Sequence, residues 1–256
     1  MELYNYLKEL YSGKNAIFNH ITLFSLLGIM IIFLNNLFAI YGSSIYFDIF
    51  AVPPSSSFGL WVALVGGVLS TIYLFGYEYQ YINSLFKRDE CSLLDFTFEP
   101  FGTFFRIFPM FFLWQNYMVL FSIAGTLIIL AIGNNDMLYI LYALVISVMP
   151  FVHMVLISFS SRFKYRLKYF YPWLVLQYID KTLGDVISLF FQVMLLLVLP
   201  IILITAGVFV SKYITNEVYQ YGLELLCLCT GVYCFVILKY VFSVGLVKLV
   251  KEKLRP

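Results

Sequence analysis

The chain has 256 residues, 62% apolar and only 12% charged, with a mean hydropathy of +0.91. Soluble domains are near half apolar and a quarter charged, so this composition excludes an ordinary globular protein and points to the lipid bilayer. A net charge of +2 gives no reason to expect nucleic acid as a partner.

At the N-terminus, about residues 1–13, Leu3, Tyr6, Leu7, Leu10 and Tyr11 share one helical face, with Glu2, Lys8 and Glu9 off it. Such a segment lies in the headgroup plane rather than crossing it. An apolar run over about 16–40 follows; it is longer than a signal-peptide core and lacks a cleavage site, so it reads as a retained span. Val52-Pro53-Pro54 and three serines break the chain before a second span over about 59–81. A second amphipathic stripe, Phe101, Phe104, Phe105 and Phe108, marks an interfacial helix over about 93–108, and Pro109 opens a third span over 109–132. Gly133-Asn134-Asn135-Asp136 is a tight hairpin into a fourth span over 137–160, which carries Pro150 and His153. Leu176, Ile179, Leu183 and Val186 repeat the stripe over about 170–185, before spans over 186–210, containing Pro200, and 218–246.

Runs of this length satisfy their backbone groups in lipid only as helices. The expected fold is therefore all-α: a polytopic transmembrane bundle forming a single domain over 1–256, with six spans. The chain parses three times as interfacial helix, span out and span back, a pattern of a parallel threefold repeat.

Charge orients the bundle. Lys8 and Lys14, then Lys87, Arg88 and Arg106, then Arg162 to Lys181, then Lys248 to Arg255 hold all the basic residues except Lys212 and Lys239. The stretches Tyr41–Phe58 and Gly133–Asp136 hold none. Basic loops resist translocation, so the expected location is the cytoplasmic (inner) membrane, multi-pass, with both termini and the interfacial helices cytoplasmic. Arg162, Lys164, Arg166 and Lys168 alternate with apolar residues and are candidate contacts to anionic lipid headgroups.

Ionisable residues inside spans are costly and mark candidate sites. Lys239, about two turns from the inner end of the last span, can reach Glu78 or Asp185, or snorkel to the headgroups. Gln192 and His153 complete the polar intramembrane set, and each is better explained as a hydrogen-bonding residue between helices. His20 at the inner interface reads the same way. Cys227, Cys229 and Cys234 in the last span read as packing residues, and Cys91 as a reduced cytoplasmic thiol. Ser161-Arg162-Phe163-Lys164 matches S-x-x-K without the partner motifs of that chemistry, and no metal, nucleophile-elbow or phosphate-loop motif occurs. No catalytic residue, metal or cofactor is expected.

The segment Gly76–Pro109 carries Gly76-Tyr77, the basic link Lys87-Arg88, Leu94-Asp95 and Gly102. It resembles a stretch in a family of six-span bacterial and archaeal membrane proteins classed as a domain of unknown function. That family is similar in layout to the membrane domain attached to some glycerophosphodiester phosphodiesterases. The proline that usually follows the leucine of that turn is Asp95 here. The resemblance implies a layout and no activity. The expected role is a membrane scaffold or accessory component acting on lipid or on a partner membrane protein. The alternatives are a small permease with its site around Lys239, Glu78 and Gln192, and a membrane-embedded lipid-modifying enzyme.

Overall fold

The computed structural model describes residues 2–40, 57–88, 91–132, 137, 151–152, 154–155, 157–158 and 182–253. The stretch 161–181, with the four candidate lipid contacts Arg162, Lys164, Arg166 and Lys168, lies outside the described residues, as does His153. Among the described residues all regular structure is helical: α1 (Glu2–Leu10), α2 (Ala16–Ile40), α3 (Ser57–Lys87), α4 (Glu99–Ile132), α5 (Leu183–Leu196), α6 (Val198–Ser211) and α7 (Glu217–Lys253). Among the described residues two stretches are long and apolar enough, by length and composition, to cross a membrane: Leu183–Ser211, of 29 residues, and Gly222–Glu252, of 31. The apolar stretch Ala16–Ile32 is part of α2.

Proline chemistry sets the helix limits. The break between α5 and α6 falls at Leu197, where Pro200 has no N–H to give the Leu196 carbonyl. At Pro109 the outcome differs from the sequence reading. α4 runs continuously from Glu99 through Pro109 to Ile132, so the stripe Phe101–Phe108 is its first three turns rather than a separate helix. The helix starts at Glu99 with Pro100 in its first turn, where a missing N–H costs nothing. Residues 93–98, expected to be helical, are not.

α7 is the centre of the bundle and packs on α1, α2, α3, α5 and α6. Its second half is buried on most sides, with Tyr240, Val241, Phe242, Val244, Leu246, Val247 and Val250 nearly inaccessible. α6 approaches α7 closely because Gly207 faces Cys227 and Gly231 faces Ile204; small residues let helices meet by van der Waals contact. The opposite side of α5 and α6 is bare. Leu195 is 74% exposed, and Leu199, Ile201 and Phe209 are close behind. So continuous an apolar face is expected against hydrocarbon or another protein, not water.

The link between α3 and α4 is held by a ladder. Tyr73, Tyr77 and Tyr81 stand at i, i+4 and i+8, on one face of α3. Their hydroxyls donate to the carbonyls of Thr97 (2.8 Å), Leu94 (2.7 Å) and Cys91 (2.8 Å), so the link runs back antiparallel along the helix. These carbonyls lie outside any helix and need donors, and an unmet buried carbonyl costs about 1–3 kcal/mol. Phe96 stacks on Tyr77 at 4.6 Å, closing the link over the ladder.

Gly76 sits within the ladder, against the backbone of Pro100, where a methyl would overlap the Pro100 carbonyl. Gly102, two residues on, has open space around its Cα. Gly76→Ala should therefore destabilise the protein by about 1–3 kcal/mol. Gly102→Ala should instead stabilise it, by up to about 1 kcal/mol. Thermal unfolding of the two variants in detergent should move in opposite directions.

Candidate functional site

Lys239 of α7 and Glu78 of α3 form an ion pair, with side chains 13% and 5% exposed. The pair lies beside an aromatic wall. Tyr240 meets Tyr81 edge-on at 4.9 Å and Tyr77 at 6.5 Å, so charge and ring contacts join the same two helices. Of the two partners the sequence allowed, the structure brings Glu78 to Lys239.

Asp185 and Gln192 lie elsewhere. They line a cavity of about 510 Å³ with Asn5, Glu9, Lys248 and Glu252, between α1, α5 and the end of α7. Gln192 is exposed, its amide 3.4 Å from the Ser188 hydroxyl one turn away. The set Lys239, Glu78 and Gln192 is therefore not one site.

Two further polar groupings join helices, and in the first His20 is the hydrogen-bonding residue that the sequence suggests. His20 stacks on Tyr11 at 4.0 Å. Its Nε2 donates to the Leu10 carbonyl (3.2 Å), which leaves Nδ1 of the neutral ring to accept from the Tyr233 hydroxyl (2.7 Å). This fastens α1 to α2 and α7. At the far end of α7, the buried Glu224 accepts from Ser211 (2.5 Å) and Gln220 (3.3 Å), joining α6 to α7.

Basic residues distant in sequence collect at one end of the bundle. Lys14 and Arg88 line a common cavity of about 220 Å³. Lys251 Nζ reaches the Arg88 carbonyl at 3.5 Å, and Lys248 Nζ lies 4.1 Å over the Tyr6 ring. Beside them, between α3 and α4, opens a larger cleft of about 850 Å³. Gln80, Asn83, Ser84 and Lys87 face it from α3, at helical spacing. Glu99, Thr103 and Arg106 face it from α4, and Arg88 and Asp95 from the link. Gln80 Nε2 donates to Thr103 Oγ1 (2.7 Å) between the two helices. Amide hydrogen bonds from Asn15 (3.0 Å) and Asn19 (3.2 Å) hold the Asp95 carboxyl below its ordinary value, so it stays ionised.

No protein-family model, curated protein or solved structure matches this chain.

The ion pair makes a test by cycle. Breaking a buried pair from one side leaves an uncompensated charge and costs about 3–5 kcal/mol, whereas replacing both partners with apolar residues is often neutral. Lys239→Met and Glu78→Leu should each lower the unfolding temperature strongly. The double variant should recover most of the loss, and additive losses would show that the two side chains do not interact.

Proposed function

We propose that this chain is a six-span protein of the cytoplasmic membrane, both termini inside, acting as a scaffold or accessory component that engages lipid and a partner membrane protein. One observation carries the reading. Lys14, Arg88, Lys248 and Lys251, drawn from three separated stretches, meet at one end of the helical bundle. Lys212 is at the opposite end. Segregated positive charge is what retention on the cytoplasmic side requires. The exposed apolar face of α5 and α6 suits lipid or a neighbouring helix. The resemblance to the six-span family is in keeping with this layout.

The permease reading draws less support. Lys239 is committed to Glu78, and Gln192 faces a different cavity. The joined helices α3 and α7 are what a rigid accessory subunit needs.

The chain should remain in the pellet when membranes are washed at alkaline pH. With the native cysteines replaced, Ser56→Cys should react with an impermeant maleimide from outside intact cells, and Lys251→Cys only after permeabilisation. Reaction of Lys251→Cys in intact cells would reverse the orientation. In native gels of mild-detergent extracts the chain should migrate with a second polypeptide, and migration alone would contradict the accessory role.

A further inference from the structure

We infer that the cleft between α3 and α4 is a binding site for the phosphate of a membrane phospholipid, held by Lys87, Arg88 and Arg106. The inference rests on the membrane reading above and names the ligand of its basic end.

Volume and chemistry both fit. About 850 Å³ lies within the range of small-ligand sites. Three cations line it against two carboxylates, and Asp95 already spends one oxygen on Asn15 and Asn19. Among the described residues none of the three cations is in an ion pair. Arginine matches phosphate geometry with paired N–H donors, and lysine supplies a mobile point charge. Asn83 on α3 adds a neutral amide donor for the ester oxygens.

Neighbouring surface selects lipid over a free anion. Leu94, Ile107 and Pro109 line the cleft as well, beside the three cations. A phosphate seated among Lys87, Arg88 and Arg106 would thus have an apolar flank beside it for acyl chains. Inorganic phosphate gains nothing from that flank.

The site is also prebuilt. Arg88 is held on the last turn of α3 by its N–H to the Ser84 carbonyl (2.8 Å), the tyrosine ladder fixes the link that carries Asp95, and the bond from Gln80 to Thr103 sets the spacing of α3 and α4. A site held open before the ligand arrives avoids paying ordering entropy on binding.

Native mass spectrometry of the full chain in detergent, titrated with dioleoylphosphatidylglycerol, tests this. The double variant Lys87→Gln/Arg106→Gln should bind about thirtyfold more weakly, two charges each at the strength of a headgroup contact. Lys212→Gln, at the other end, should bind as the parent does. Dioleoylglycerol, which lacks the phosphate, should bind the parent and the double variant equally weakly, and millimolar inorganic phosphate should not displace the phospholipid. Equal phospholipid affinity in parent and double variant would overturn the site. Displacement by inorganic phosphate would overturn its assignment to lipid. Release of the chain from alkaline-washed membranes would defeat the membrane reading itself, whereas retention with unchanged affinities would defeat only the cleft.

Discussion

Three tyrosine hydroxyls on one face of α3 hold the basic end of this molecule together. The link Cys91–Thr97 is neither helix nor strand, yet Cys91 and Leu93 within it are buried. A non-helical backbone inside an apolar bundle is stable only where something donates to its carbonyls. Tyr73, Tyr77 and Tyr81 do this at every fourth residue of α3. Each bond contributes about 1 kcal/mol net, and the greater effect is the penalty each avoids. The start of α4 against Gly76, the position of Asp95 beside Asn15 and Asn19, and the walls of the cleft all follow from the fixed path of the link.

α7 extends this arrangement across the bundle. Tyr240 lies against two members of the ladder, and the adjacent Lys239 neutralises Glu78. A buried ion pair is weak evidence for stability, because desolvation offsets most of the attraction. Its effect here is on specificity: only one register of α7 on α3 places the ammonium at the carboxylate and the ring on the ladder together. His20 does the equivalent for α1, tying the first helix to α2 and α7 through both ring nitrogens.

Much of the helical layout is legible in the sequence because apolar length and proline positions are local signals. The first and fifth predicted spans begin and end within a few residues of helical stretches, α2 and α5 with α6, and the break near Pro200 is where its missing N–H puts it. The link is less legible, for a physical reason. The Phe101–Phe108 stripe has helical period and does belong to a helix, but nothing in that period says where the helix begins. Pro100 fits the first turn of α4, and its packing on Gly76, 24 residues away in sequence, seats that turn on α3. The spacing Tyr73, Tyr77, Tyr81 was visible and is a helical face; what it bonds to was not. Likewise the charge of Lys87, Arg88 and Arg106 served orientation alone, since a cleft is a property of two helices and no single stretch encodes it. Lys239 and Glu78 were candidates for one another only because few charges enter the spans.

Cys91 reports on the central claim directly, because it sits in the link beneath Tyr81. Burial first, and then the neighbouring Glu9 carboxylate, push its thiol up from 9.0 to about 12. Only the thiolate reacts, so at neutral pH a shift of that size leaves about a thousandfold less of it. The measurement is the alkylation rate of Cys91 in the folded protein, with Cys227, Cys229 and Cys234 replaced by alanine. A ladder that fixes the link predicts reaction at least about a hundredfold slower than a free thiol, and rapid reaction once Tyr77 and Tyr81 are both changed to phenylalanine. Reaction of Cys91 at the rate of a free thiol, with the tyrosines intact, would contradict the account.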